Sequence, residues 1–422
     1  MLRFHAEQGR PAPSTEPERG TDRGLRRLLA SRRAGYSLPQ AFYVDDEVYQ
    51  SDLERIFRRT WLFAGHACQL KHAGDYITCD IDTDSIIIVR GRDGQLRALH
   101  NVCRHRGARI CSLSAGRCRS LVCPYHQWTY DLDGSLLATP HLAASPGISS
   151  LRLGEAHVFE TAGLVFISLA DMPAATDEMS RHVESVLAPH RLERAKVAHV
   201  VTKDIEANWK LVMENQRECY HCPVSHPEYA RAYYDAHLDD SSMSAELNAR
   251  LADGKRRWAA YGIDPATVSF SSAYTGDWYR ANRTPFRIGF VTESLDGRPV
   301  APLMGDFVEA DMGTARVGTY PNLWLHATSD HAAVVHLMPL GPTRTRTTTT
   351  WLVHEQAVDG FDYQLERLIE FTLIQSEQDW AILANQAAGV RSRRYEPGPY
   401  ASRREANVER FVSWYIDHIS IP

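Results

Sequence analysis

Residues 101–134 read NVCRHRGARICSLSAGRCRSLVCPYHQWTYDLDG and contain two short loops, each with one cysteine and one histidine. The first loop offers Cys103 and His105, and the second offers Cys123 and His126. A [2Fe-2S] cluster needs two ligands on each iron, and replacing two thiolates on one iron by neutral imidazoles raises its reduction potential. The two loops supply that division of ligands, so this stretch predicts a [2Fe-2S] site.

Two other interpretations of this stretch stay open. Two cysteines and two histidines also suit a tetrahedral structural zinc, and all four residues could instead be unligated members of a core. The Cys-x-His order at Cys103 favours the cluster, because zinc sites rarely show that order.

A second set of candidate ligands lies in residues 208–228, NWKLVMENQRECYHCPVSHPE. Glu218 and His221 are one turn apart on a predicted helix and share a face, and His226 follows. Two imidazoles and one carboxylate on one side of Fe(II) leave positions open for dioxygen, so a further Asp or Glu must come from elsewhere. Alternatively, the histidines are core residues and Cys219-x-x-Cys222 is a redox or zinc pair.

Composition excludes several classes of protein. The chain has 422 residues and a formal net charge of -5, without a basic run long enough to neutralise a row of phosphates, so we expect no nucleic-acid partner. Neither an export signal nor a membrane-spanning stretch is visible, which predicts a cytoplasmic protein. Eight cysteines, several near histidines, suit metal ligation in a reducing compartment better than a disulfide framework.

Hydrophobic periodicity predicts an α+β protein. Residues 39–60 show helical spacing, residues 61–171 consist of short β-rich runs, and later helical stretches such as 361–389 alternate with strands such as 315–327 and 332–341. We expect a disordered segment over 1–28, an all-β domain over 59–171, and a second domain from 29–58 and 172–422. In that second domain, helices grip a large antiparallel sheet.

CRHRG at 103–107 and CPYHQWTYDLDG at 123–134 match the cluster motif of the Rieske non-haem iron oxygenases, so the chain resembles that family. The resemblance implies an all-β Rieske [2Fe-2S] domain, a helix-grip catalytic domain with a mononuclear Fe(II), and an oxidoreductase that uses O2. It also implies that the carboxylate ligand is Asp379, because the family places this ligand on a late helix. Glu377 is the fallback.

Glu218 is given a catalytic role by the same resemblance. The family keeps an acidic residue here that hydrogen-bonds an iron ligand and, across a subunit boundary, a cluster histidine. Glu218 would therefore link His126 of one subunit to His221 of the next, which implies a ring of subunits, with a homotrimer as the family precedent. Most ring-hydroxylating members have Asp at this place, whereas Glu is similar to the subset acting on quaternary ammonium compounds.

The function implied by the resemblance is hydroxylation of an N-methyl group of glycine betaine, which yields dimethylglycine and formaldehyde. Demethylation of proline betaine, choline or carnitine, and dihydroxylation of an aromatic ring, are alternatives that use the same metals. A pure electron-transfer or zinc-scaffolded binding protein is a third. The sequence has no Gly-rich dinucleotide loop and no flavin signature. Electrons from NAD(P)H would therefore arrive through a separate flavin and iron–sulfur reductase.

A permanent trimethylammonium group cannot accept a hydrogen bond, so aromatic faces have to recognise it. Ordinary core packing is the alternative role of every candidate ring, and the arginines between Arg280 and Arg298 offer no unique partner for a substrate carboxylate. The candidate rings are Phe270, Tyr274, Trp278, Tyr279, Phe290, Tyr320 and Trp324.

Overall fold

Two seven-stranded antiparallel sheets dominate the computed structural model, which describes residues 20–142, 147–234, 241–264 and 274–421. The predicted α+β class is confirmed. None of the helices in the described part of the chain is long and apolar enough to cross a membrane.

The first sheet carries the two cysteine–histidine loops. One inner strand, β3, is buried on both faces: Ile86 and Ile88 join the large core around the N-terminal helices, while Ile87 and Val89 join a smaller core that contains Cys103 and Cys123. In spatial order its strands are β1 (Leu62–His66), β10 (Leu164–Ser168), β9 (Glu155–Thr161), β4 (Leu96–His100), β3 (Asp84–Arg90), β2 (Asp75–Ile81) and β5 (Ala115–Arg117). A three-stranded sheet adds β6 (Leu121–Val122), β7 (Thr129–Tyr130) and β8 (Leu136–Ala138).

The second sheet provides the wall of the candidate catalytic cavity. Val317, Leu325 and Val334 on one face belong to a hydrophobic core, and alternate residues such as Arg316 and Trp324 face the cavity instead, as the two-residue period of a strand requires. In spatial order its strands are β11 (Lys196–Ile205), β17 (Arg344–Val353), β16 (His331–Gly341), β15 (Leu323–Ala327), β14 (Thr314–Thr319), β13 (Tyr279–Thr284) and β12 (Tyr274–Thr275). The predicted strands over 315–327 and 332–341 are β14, β15 and β16.

Helices surround this second sheet. The predicted helical stretch 39–60 forms two short helices and a π-helical turn over Leu53–Phe57, and the stretch 361–389 forms one long helix. The α-helices are α1 (Gly20–Ala30), α2 (Ala41–Val44), α3 (Asp46–Asp52), α4 (Asp177–Leu187), α5 (Trp209–Asn215), α6 (Cys222–Ser225), α7 (Pro227–Ala232), α8 (Ser241–Ala259), α9 (Leu365–Val390) and α10 (Ala406–Ile419).

The N-terminal boundary corrects the predicted disordered segment over 1–28. Residues 1–19 lie outside the described residues, but α1 covers the remainder of that segment. Leu25 is buried in the large core, and Leu28 and Leu29 pack against it. Their i, i+3, i+4 spacing gives the helix an apolar stripe that can dock, and this outweighs the polar composition of the segment.

A buried ion pair fixes the start of α5, the helix that leads into the candidate iron ligands. Lys210 contacts Asp52, and Asp52 also accepts hydrogen bonds from Trp209 Nε1 at 2.8 Å and Tyr415 Oη at 2.7 Å. Burial raises the pKa of Asp52 and lowers that of Lys210, so each charge depends on its partner. Three segments distant in sequence are thereby held at one point beneath the site.

Candidate metal centres

The two cysteine–histidine loops have nearly the same backbone course. The N–H of Cys103 donates to Ala108 O at 2.9 Å, and the N–H of Cys123 donates to Trp128 O at 2.8 Å. Each loop turns through a residue with positive φ, Gly107 in the first loop (φ 76°) and Gln127 in the second (φ 60°). The loops therefore present their side chains as a matched pair.

These side chains converge as a [2Fe-2S] cluster requires. The His105 and His126 rings lie 4.6 Å apart, and His105 stacks on Trp128 at 4.8 Å. Both cysteines are buried; burial raises the pKa of the Cys123 thiol, and the neighbouring Cys103 thiol raises it further. Burial and the neighbouring thiol therefore oppose ionisation of Cys123. The positive charge of a bound metal cluster would favour the deprotonated form of both sulfurs. The four residues fit the group that the sequence predicts, and their role as ligands stays a proposal.

Tyr130 is a contact of this site that the sequence did not single out. Its hydroxyl oxygen lies 3.3 Å from Cys103 Sγ and accepts the N–H of Arg104 at 3.0 Å. A metal-bound thiolate has no proton, so Tyr130 would donate the hydrogen bond to sulfur once a cluster is bound.

The second candidate site brings His221, His226 and Asp379 together. The two Nε2 atoms are 3.1 Å apart, and Asp379 Oδ1 lies 3.3 Å from His221 Nε2 and 3.2 Å from His226 Nε2. Donors at right angles around an ion at about 2.1 Å are separated by about 3.0 Å, as in a two-histidine, one-carboxylate facial site. The spacing fits such an ion, which leaves the opposite side open.

The local structure around Glu218 differs from the predicted helix. Helix α5 ends at Asn215, and Glu218 and His221 lie in the bend before the short helix α6. Pro223 has no N–H with which to continue a preceding helix and is tolerated in a first turn, so it marks the start of a new helix, α6. Glu218 and His221 nevertheless meet, with Glu218 Oε1 at 2.5 Å from His221 Nδ1.

Each candidate donor is oriented by a further polar group. Glu218 holds Nδ1 of His221, and Gln378 Oε1 lies 2.7 Å from Nδ1 of His226, which fixes both rings with Nε2 toward Asp379. Asn215 Nδ2 donates to Asp379 Oδ1 at 3.1 Å. Neither Gln378 nor Asn215 was predicted from the sequence. In the sequence, Gln378 is notable only as the neighbour of Asp379, and Asn215 only as a residue a few positions before the two histidines.

Electrostatics show that the site favours positive charge. Burial lowers the pKa of His221, but the hydrogen bonds that its ring donates to Asp379 and Glu218 outweigh burial and raise the pKa to about 9. Burial also raises the pKa of Asp379, yet the two imidazoles bring it down to about 2. An anionic carboxylate beside two imidazoles suits a divalent cation.

The positions of the side chains bear on two alternatives from the sequence. Glu377, the fallback ligand, is exposed on α9, whereas Asp379 points to both histidines. Cys219 and Cys222 form a disulfide, with Cα atoms 4.9 Å apart. The expectation that the cysteines serve metals rather than disulfides is therefore wrong for this pair. Although Cys222 Sγ lies within 4.8 Å of donor atoms on His221 and His226, it offers no thiolate.

A cavity of about 770 Å³ opens onto the three donors. Of the predicted aromatic candidates, Tyr279, Tyr320 and Trp324 line it. Trp278 packs between the two largest cores and Phe290 packs near Phe286 and Phe371. Phe270 and the side chain of Tyr274 lie outside the described residues. The cavity also has rings that the sequence did not suggest: Tyr229, Tyr233, Tyr234 and Trp380.

Comparison with protein families agrees with this geometry. The profile of the Rieske [2Fe-2S] domain matches residues 60–165, and that of the ring hydroxylating alpha subunit (catalytic domain) matches residues 192–421. The chain therefore belongs to the Rieske non-haem iron oxygenases, O2-dependent oxidoreductases that carry a [2Fe-2S] cluster and a mononuclear iron.

Within this family, the chain is similar to the oxygenase subunit of glycine betaine monooxygenase. It is 39% identical to that subunit from Chromohalobacter salexigens, over 92% of this chain and 87% of the relative. The subunit from Pseudomonas aeruginosa is 38% identical, over 93% and 91%. A solved quaternary ammonium Rieske monooxygenase, studied for carnitine oxidation and inter-subunit electron transfer, superimposes with a TM-score of 0.70 at 22% identity, covering 92% of this chain and 97% of its own.

Replacement of Tyr130 by Phe tests the cluster site. Loss of the hydrogen bond to sulfur removes a contact that stabilises the reduced state, so the reduction potential should fall by roughly 20 to 65 mV, the equivalent of one ordinary hydrogen bond. Spectroelectrochemistry of purified protein measures the shift. An unchanged potential in a protein with intact cluster absorption would contradict the proposed contact.

His226→Ala tests the mononuclear site. It should keep the red-brown cluster absorption and lose the mononuclear iron and turnover, because two donors remain where three are needed. Glu377→Ala, next to Asp379 but exposed, is the matched control and should keep all iron. Metal analysis with visible spectra decides: full activity in His226→Ala would refute the ligand assignment, and iron loss in Glu377→Ala would restore the fallback.

Proposed function

We propose that this chain is the oxygenase component of a monooxygenase that hydroxylates an N-methyl group of glycine betaine. The observation that carries the proposal is the three-donor site on the wall of a large cavity. This site lies in a chain 38% and 39% identical, over more than nine tenths of its length, to oxygenase subunits of glycine betaine monooxygenase.

The proposed reaction needs no protein side chain to act as a catalytic acid or base on the substrate, and its atoms and electrons balance. One methyl C–H bond, O2, two electrons and two protons give a hydroxymethyl group and water. The hydroxymethyl C–N bond then breaks, its electron pair stays on nitrogen, and the hydroxyl proton is released, which yields dimethylglycine and formaldehyde. The bound metals supply single-electron transfer and dioxygen activation. The chain's own residues orient the donors and enclose the substrate.

We place Glu218 in the path of electrons to the cavity. Glu218 contacts His221 in this chain. The resemblance to the family implies that Glu218 also contacts His126 of a neighbouring subunit in a homotrimer. A carboxylate in that position orients both imidazoles and couples their protonation. Electrons would come from NAD(P)H through a separate reductase with flavin and an iron–sulfur centre.

Other substrates of the same chemical class are the alternative. The oxygenase subunit of carnitine monooxygenase from Acinetobacter pittii is 36% identical, but over only 48% of this chain. Proline betaine, choline and carnitine demethylation therefore stay as outcomes of the substrate test, together with dihydroxylation of an aromatic acid.

The test of the proposed function is product stoichiometry. With a matching reductase and NAD(P)H, purified protein should release one formaldehyde and one dimethylglycine for each glycine betaine consumed. If another quaternary ammonium compound gave formaldehyde and glycine betaine did not, that compound would replace glycine betaine as the proposed substrate. Conversion of aromatic acids without any formaldehyde would overturn it.

Glu218→Gln tests the electron path separately. The variant should keep both metals, because Gln can still contact His221, but it should slow single-turnover oxidation of the cluster by roughly tenfold or more. Rapid-mixing absorption measurements of the pre-reduced protein with O2 and substrate report this rate. Unchanged kinetics would remove Glu218 from the path.

A further inference from the structure

Positive charge is in excess around the cavity. Among the described residues that line it are seven arginines, including Arg217, Arg280 and Arg316, but only three carboxylates. The carboxylates already have partners, since Glu218 and Asp379 contact the histidines of the iron site and Glu293 lies 2.6 Å from His326 Nδ1. A purely cationic substrate meets repulsion here, whereas a substrate with a carboxylate compensates the charge.

Arg217 stands out among these arginines because nothing nearby balances its charge. Its guanidinium lies over the Tyr320 ring at 5.1 Å and donates to Leu323 O at 3.2 Å. Its Nε atom is buried and has no hydrogen-bond partner, and no carboxylate in the described part of the chain forms an ion pair with it. Burial lowers its pKa. A buried guanidinium without a compensating negative charge costs free energy, and a bound anionic ligand would offset that cost.

Arg316 provides the contrast within the same cavity. Its guanidinium stacks on Tyr233 at 4.3 Å and donates to Tyr229 Oη at 2.8 Å. The hydroxyl of Tyr233 in turn contacts Glu293, a buried carboxylate. Arg316 shares with Arg217 a buried Nε atom that has no hydrogen-bond partner. It differs from Arg217 in having a buried carboxylate, Glu293, nearby to compensate its charge.

The sheet is shaped to admit the side chain of Arg217. Gly318 on β14 pairs with Arg280 on β13 and Trp324 on β15, in a row that faces the cavity. A Cβ on Gly318 would overlap the guanidinium of Arg217. Since φ of Gly318 is not positive, its backbone does not require glycine. Space for Arg217 is the physical reason for a glycine there.

The nearby guanidinium groups also repel one another. Burial lowers the pKa of Arg280 to about 10, with further lowering by the charges of Arg316, Arg217 and Arg410. A bound anion would reduce this repulsion between the guanidinium groups. A planar carboxylate suits this role because it can accept two parallel hydrogen bonds from one guanidinium.

We infer that Arg217 binds the substrate's carboxylate, and that the enzyme thereby selects quaternary ammonium compounds that carry one. The inference rests on the proposed function and specifies a residue that determines its substrate range. The carboxylate contacts the guanidinium of Arg217 where this residue lines the cavity, and the trimethylammonium group is left to face the iron donors. Choline, which has a hydroxyl in place of the carboxylate, lacks this contact.

Binding and turnover of a substrate pair test this role. Anaerobic titration calorimetry should give wild-type protein a Kd for glycine betaine roughly 10- to 100-fold lower than for choline. Arg217→Gln should raise the Kd and KM for glycine betaine by a similar factor, change kcat little, and leave the choline values nearly unchanged. Arg217→Lys should recover part of the loss, and Gly318→Ala should weaken glycine betaine binding by displacing the guanidinium.

Arg367→Gln, an exposed arginine on α9 paired with Asp296, is the control and should behave as wild type. Metal content and cluster absorption check that each variant is intact. Equal affinity of wild type for both compounds, or an equal loss for both in Arg217→Gln, would overturn the inference while formaldehyde release keeps the proposed function. If glycine betaine gives no formaldehyde, the proposed function fails, and the comparison of L-carnitine with choline still decides whether Arg217 requires a carboxylate.

Discussion

His226 and Asp379 stand 153 positions apart in the chain, yet their donor atoms lie 3.2 Å from each other. Holding an ionised carboxylate between two imidazoles in a partly buried site costs free energy unless further groups fix the geometry and a cation occupies the centre. Several parts of the chain that are distant in sequence serve this requirement. The buried Asp52–Lys210 pair fixes the start of α5, Asn215 at its end contacts Asp379, and the long helix α9 carries both Asp379 and Gln378.

The two sites are exposed in complementary ways. The cluster loops leave His105 exposed and His126 partly exposed, while both cysteines are buried. The iron donors line a cavity, but the bend that carries His221 reaches the surface at Cys219 and Tyr220. A partly exposed His126 and a surface bend next to Glu218 are compatible with the proposed electron path between neighbouring subunits.

How far the sequence predicts this molecule depends on the range of the interactions. Cys103, His105, Cys123 and His126 were recognisable because their loops are local, and His221 and His226 because five residues separate them. Asp379 was predicted from the resemblance, because nothing in its own segment of sequence distinguishes it from Glu377. The structure distinguishes them: on α9, Asp379 faces the histidines and Glu377 is exposed. Residues whose roles arise only from packing were missed: Tyr130, Gln378 and Arg217. The helix predicted through Glu218 is instead a bend, since α5 ends at Asn215 and Pro223 lies in the first turn of a new helix.

The most direct measurement of the central claim is Mössbauer spectroscopy, with metal analysis, on active protein prepared anaerobically with isotopically enriched iron. Two separate centres predict about three iron atoms per chain, two as a cluster with inequivalent irons and one as mononuclear high-spin Fe(II) whose signal changes on addition of glycine betaine. A fully active sample with a single kind of iron centre, or with zinc in either site, would contradict it.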